Sequence, residues 1–192
     1  LDPFAGTGRI HELTGCSTYG IELEPEWAAL HPRTDVGNAT ALPSGWDDMF
    51  DMVITSPTYG NRMADHHTPG PDDRSTRITY AHRLGRKPSE GSSAVLQWGE
   101  KYRDLHVRAW LEVQRVLIPG GWFVLNIRDH YRNGKVIEVS AWHLGTIRGM
   151  GFDVLAQHYI ATPGMGFGAN RELRVEGEHI FVFRKTNPTG DK

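Results

Sequence analysis

Two short runs hold residue types that could do chemistry: Asp2-Pro3-Phe4-Ala5-Gly6-Thr7-Gly8 and Ser56-Pro57-Thr58-Tyr59-Gly60. In the first, glycines at 6 and 8 let the backbone turn sharply and come close to a ligand. A dinucleotide fingerprint would want a third glycine three residues after Gly8, and His11 stands there. No Lys-Ser/Thr pair follows, so the run is not a phosphate-gripping P-loop either. Glu22 comes twenty residues after Asp2, at the end of the next strand-like run. An acid there can accept hydrogen bonds from ribose hydroxyls. A glycine turn with a ribose acid but no pyrophosphate signature suits a nucleoside cofactor that carries no phosphate. For Gly-x-Gly alone, an ordinary strand-to-helix turn is the simpler account.

The elements around these runs place them at one edge. Thr18 to Leu23 reads as a short strand, followed by a helix that opens at Pro25. Asp51 to Thr55 reads as a buried strand that delivers Ser56. From Gly99 to Leu117, Tyr102, Leu105, Ala109, Trp110, Val113 and Leu117 recur on one helical face. Pro119-Gly120-Gly121 is expected to stop that helix before a buried strand from Trp122 to Ile127. Glu138 to Met150 reads as a second amphipathic helix, and Phe152 to Ile160 and His179 to Arg184 as the last two strands. Strand and helix alternate until that final pair, which predicts a mostly parallel sheet covered on both faces with one antiparallel closing strand. Ligands of such sheets bind beyond the carboxyl ends of the strands, where both runs fall.

Composition sets the bounds. One domain is expected for 192 residues, enough to bury a substantial core. No apolar run approaches the ~20 residues of a membrane span, which with the absence of a leader pattern predicts a cytoplasmic protein. Cys16 is the single cysteine, which excludes an internal disulfide and a cysteine-built zinc site. Residues 1 to 60 hold two basic and nine acidic residues, a balance of -7, while the rest balances to +5. The basic portion is a candidate face for a polyanion, with solvated surface as the alternative. The chain starts at Leu1 and runs at once into Asp2-Pro3, so most of a first strand is expected to be missing from a truncated N-terminus.

Asp-Pro-Phe-x-Gly-x-Gly followed by Ser-Pro-x-Tyr resembles the amino-group DNA methyltransferases, which methylate N4 of cytosine or N6 of adenine with S-adenosylmethionine. The resemblance covers most of the chain in strand order and implies a Rossmann-like α/β methyltransferase fold with a seven-stranded sheet. It implies a cofactor site of Asp2, Phe4, Gly6, Gly8, Glu22, Asn38, Ala39 and Ser56, with Glu22 on the ribose. Asn38 stands where the family more often has aspartate, and its amide oxygen would accept from the adenine amine. It also implies a catalytic tetrad in which Ser56, Pro57 and Tyr59 act on the target amine. Thr58 replaces the tetrad's second proline and loses the rigidity that proline gives. Serine at the first tetrad position favours cytosine N4 over adenine N6.

The mechanism so implied is economical. An exocyclic amine is a poor nucleophile because its lone pair is delocalised into the ring. Hydrogen bonds to the Ser56 hydroxyl and Pro57 carbonyl would localise that lone pair, and Tyr59 would stack on a base taken out of the duplex. No metal and no covalent intermediate are needed. Asp65-His66-His67 and His82 read as surface residues because no metal-ligand spacing supports them.

Residues 61 to 98 form a polar, proline-bearing insert within the single domain of 1 to 192. Thr58, Asn61 and Arg62 are expected to contact the target nucleotide, and Arg74, Arg77, Arg83, Arg86 and Lys87 to track phosphates. Gly164, Gly166 and Gly168 predict a hairpin at 161 to 177 on the substrate side, bringing Met165, Phe167, Arg171 and Arg174 to the nucleic acid. The six tryptophans read as core. DNA is the expected partner, and a second copy or a partner subunit is left open. Two other functions stay open as well: methylation of an RNA base amine, and a catalytically silent subunit that binds nucleic acid.

Overall fold

A computed structural model of the protein describes residues 1–61, 79–162 and 175–187. Its strands are β1 (Gly20–Glu22), β2 (Thr34–Val36), β3 (Phe50–Thr55), β4 (Leu117–Ile127), β5 (His130–Arg132), β6 (Lys135–Ile137), β7 (Phe152–Ala161) and β8 (Gly177–Lys185). Its helices are α1 (Pro25–Ala28), α2 (Tyr80–Leu84), α3 (Glu100–Val116) and α4 (Val139–Gly149). β1 and β2 pair in parallel, and a four-stranded sheet runs in the order β3-β4-β8-β7. β3 and β4 are parallel, whereas β8 runs antiparallel to both β4 and β7.

Leu1 and Asp2 join the two sheets. The Asp2 amide donates to Tyr19 O and the Ile21 amide to Asp2 O, both at 2.9 Å; Ile54 N donates to Leu1 O at 2.9 Å on the other side. This differs from the expected seven-stranded sheet, because the position between β1 and β3 is held by two residues rather than a regular strand. The mixed sheet, with β8 as the reversed strand, follows the expected direction pattern.

The core is built where β3, β4 and β8 meet the helices. β4 alternates Phe123, Leu125 and Ile127 inward, all fully buried, and Phe123 and Leu125 face Phe183 and Phe181 across β8. α3 packs on β4 and buries Tyr102, Leu105, His106, Ala109, Trp110, Val113 and Val116. That is the stripe the apolar spacing predicted, widened by His106 and Val116, with Leu117 falling in β4 instead. Trp110 is its largest fully buried member, so Trp110→Ala would cost roughly 3–5 kcal/mol. Not every tryptophan is core: Trp122 is 37% exposed, and the Arg184 guanidinium lies 5.7 Å over its ring.

Three local expectations change. α3 ends at Val116 and the chain is extended by Leu117, so β4 begins before Pro119-Gly120-Gly121 rather than after it. The β3–β4 register shifts between Phe50 and Met52, which absorbs this irregular start. The insert is not plain loop over its described part: α2 is capped by the Thr79 hydroxyl, and Ser92 caps a 3-10 turn at Ser93–Val95. Between β5 and β6, Asn133 and Gly134 both have positive φ and close a two-residue hairpin. No described helix is long and apolar enough to cross a membrane.

Candidate active site

Asp2 draws the two chemical runs together. Its Oδ1 accepts from the Phe4 amide at 3.0 Å and from the Thr55 hydroxyl at 2.7 Å. The glycine turn is therefore fastened to the last residue of β3, directly before Ser56. Burial raises the Asp2 carboxyl to about 6, against the pull of these two donors.

Glu22 closes β1 under the same turn. Its Oε2 accepts from the Gly6 amide at 2.7 Å and its Oε1 from the Glu24 amide at 2.9 Å. Burial raises the Glu22 carboxyl above its usual range despite these donors. Each oxygen keeps a lone pair for a further donor. Gly6 has φ +53, and a Cβ built there would meet nothing within 4 Å, so its face opens directly on the cleft.

The cleft encloses about 650 Å³ of empty space, the part open to solvent included. Phe4, Gly6, Glu22, Asn38, Ala39, Ser56, Pro57 and Thr58 line it, so most of the expected site residues share one cleft. Asp2 and Gly8 lie outside the lining, Asp2 as the brace and Gly8 at the turn's far end beside His11 and His31. Asn38 Oδ1 already accepts from the Thr40 amide and hydroxyl, both at 2.9 Å. Accepting from a nucleobase amine would require the Thr40 hydroxyl to turn away.

Ser56 is exposed at the mouth, with its hydroxyl 3.3 Å from the Tyr59 hydroxyl. Tyr59 donates to Glu178 Oε1 at 3.4 Å, and burial pushes its phenol up to about 12, so it is neutral at ordinary pH. Glu178 is held in turn by the Asn126 side chain at 2.9 Å. Asn61 is exposed and bridges Gln97. Arg62, Arg74, Arg77, Arg171, Arg174, the 65–67 histidine run and the glycines at 164, 166 and 168 lie outside the described residues.

Another part of the cleft comes from the insert, at positions that no motif flagged. Tyr80, Leu84, Pro88, Gly91 and Ser92 line it, and Trp27 adds a ring that packs edge-on against Tyr80. Glu24, 2% exposed, clamps this segment: it accepts from the Ser89 amide and hydroxyl at 2.8 Å each and pairs with Arg86 at 2.8 Å. Arg86 reaches Glu26 as well. Arg86, expected to track phosphate, is thus spent on two carboxylates. An acid directly before Pro25 was the one sequence signal for this clamp.

A family model for a DNA methylase matches residues 50–191. The chain belongs to the DNA methylase family. A SAM-dependent methyltransferase from Methanosarcina mazei superposes on 98% of this chain and 92% of its own at TM-score 0.61, with 14% identity. A Pyrococcus horikoshii protein does so over 97% and 81% at TM-score 0.55, with 15% identity. These likenesses show a Rossmann-like methyltransferase fold. A protein assigned as a DNA modification methylase in Thermus thermophilus is 27% identical over 47% of this chain at TM-score 0.38, and the methylase described here spans 39% of that protein's length. No curated protein matches the methylase.

Proposed function

We propose that this DNA methylase moves a methyl group from S-adenosylmethionine to an exocyclic amine of a DNA base, with N4 of cytosine favoured and N6 of adenine the alternative. The observation that supports this most is the shared cleft: the Phe4–Gly6 turn and Glu22 on one side, Ser56 and Pro57 at its mouth. The open face of Gly6 and the two remaining lone pairs of Glu22 suit a ribose with two hydroxyls.

When bound, S-adenosylmethionine supplies an activated methyl on a sulfonium. Glu22 would hold the ribose hydroxyls, and Phe4 and Gly6 would shape the wall beside them. Ala39 and Asn38 would flank the adenine. The Ser56 hydroxyl and Pro57 carbonyl would accept from the target amine, favouring a pyramidal nitrogen with a localised lone pair. Tyr59, neutral and partly buried, offers a ring on which an extruded base can rest. Positioning supplies most of the rate in such a site.

Mass spectrometry of nucleosides from DNA incubated with the protein and isotopically labelled cofactor tests this reading. Labelled N4-methylcytosine is the expected product, and labelled N6-methyladenine would move the assignment to adenine. No label in any DNA, with label in structured RNA, would overturn the DNA assignment.

A further inference from the structure

The peptides on both sides of Tyr59 are pinned by one neighbouring segment. The Thr58 hydroxyl donates to Ser93 Oγ at 2.8 Å, and the Thr58 carbonyl accepts from the Tyr102 hydroxyl at 2.7 Å. One residue beyond Tyr59, the Gly60 carbonyl accepts from the Trp98 amide at 2.6 Å. Gly60 has φ +68, and a Cβ there would stand 3.1 Å from Trp98 N and 3.2 Å from Tyr102 Cδ2, so the approach is as close as glycine allows.

Behind Tyr102 lies a buried polar chain whose proton positions follow by elimination. Trp110 Nε1 can only donate, and it lies 3.0 Å from His143 Nδ1. Nδ1 is therefore the acceptor and the His143 proton sits on Nε2, 3.0 Å from the Tyr102 oxygen. That N–H donates to Tyr102, which leaves the Tyr102 proton for the Thr58 carbonyl alone. Tyr102, Trp110 and His143 are all 0% exposed, and burial holds His143 well below the usual imidazole range, so it stays neutral. Tyr102 and Trp110 also pack in the hydrophobic core, but apolar residues there would avoid the cost of burying polar groups; the polar chain ends instead on Thr58, which lines the cleft.

We propose that Tyr102, oriented by His143 and Trp110, is a positioning residue for methyl transfer: together with Ser93 it fixes the Thr58–Tyr59 peptide and so sets where Tyr59 and the Pro57 carbonyl stand. This rests on the reading of Ser56 to Tyr59 as the catalytic run. The two hydrogen bonds supply by contact the rigidity that a proline ring at position 58 would supply covalently.

The test combines steady-state kinetics on DNA with hydrogen exchange of the 56–61 peptide. Tyr102→Phe is expected to lower kcat about 10- to 100-fold, the scale of a small misplacement, with KM for DNA and cofactor nearly unchanged. It should also speed amide exchange at Tyr59. Adding Thr58→Pro to that variant should return kcat and exchange toward the parent values, a recovery that a merely structural role for Tyr102 would not give. Full turnover in Tyr102→Phe, or a double variant no better than the single one, overturns the proposal. If Tyr102→Phe does not fold, Ser93→Ala decides: it should slow turnover in the parent and have no effect beside Thr58→Pro. A parent protein that methylates no DNA would sink the functional reading alone, since the exchange rates still decide whether Tyr102 and Ser93 hold the loop.

Discussion

The Thr55 hydroxyl donates to the Asp2 carboxylate at 2.7 Å across 53 positions of sequence, fastening the end of β3 to the turn that faces the cleft. A hydrogen bond to an ionisable carboxyl is worth about 1.5–3 kcal/mol. Thr55→Val keeps the shape and removes the donor, so it should lower the unfolding free energy by that order. Chemical denaturation at pH 7 checks it, and an unchanged midpoint would show that the brace carries no energy.

Acid should unfold the protein through its buried imidazoles. Burial lowers His106 from 6.5 to about 4, and His143 is depressed in the same direction. A group held below its ordinary pKa binds fewer protons folded than unfolded, so stability falls as pH drops from about 6.5 toward 4. His106 alone accounts for on the order of 3 kcal/mol. Asp2, raised from 3.8 to about 6, works the other way, because the folded state takes up its proton first. Asp2→Asn should therefore make the acid loss steeper, as read from denaturation midpoints between pH 7 and pH 4.

Glu22 is predicted to carry cofactor affinity. Its carboxylate faces two amide donors, so Glu22→Gln sets an NH₂ against one of them and should fail as Glu22→Ala does. Both are expected to weaken S-adenosylmethionine binding by about 10- to 100-fold, in line with the cost of an unsatisfied donor. Calorimetry on the folded variants reads this directly. Unchanged affinity would remove Glu22 from the site.

Ser56 and Tyr59 should separate in kinetics. Ser56→Ala loses a bond used mainly in the transition state, lowering kcat about 10- to 1000-fold with KM little changed. Tyr59→Ala loses stacking worth roughly 1–3 kcal/mol and should weaken the DNA complex too. Tyr59→Phe should keep DNA affinity, because the hydroxyl contacts at 3.3 and 3.4 Å are long. Equal damage from Phe and Ala would assign the hydroxyl a role beyond these contacts.

What the sequence revealed follows from how local each signal was. The glycine turn, the acid at the end of β1 and Ser56 after β3 are each written within a few residues, and they line one cleft. α3 was legible because its apolar spacing is regular over 17 residues. The β5–β6 hairpin was missed although Asn133-Gly134 is a strong turn signal, since its strands are three residues each and carry little alternation. The lining from Tyr80 to Ser92 stayed hidden for a different reason. Glu24 meets Ser89 across 65 positions, and Thr58 meets Tyr102 across 44. No spacing rule reaches that far. The substitution of threonine within the tetrad was visible; the hydroxyls that hold it were not.

The place of β8 has a consequence for how the chain assembles during synthesis. β8 follows the other described strands in sequence, yet it sits between β4 and β7, and Glu178 near its start meets Tyr59 from 119 positions earlier. Until β8 emerges, β4 offers an unpaired edge bearing Phe123 and Leu125, whose partners Phe183 and Phe181 are still to come. Such edges invite pairing between nascent chains, and contacts this distant in sequence close slowly. The part of the cleft lining that comes from residues 3 to 58 is made well before the Tyr59–Glu178 contact, which waits for β8.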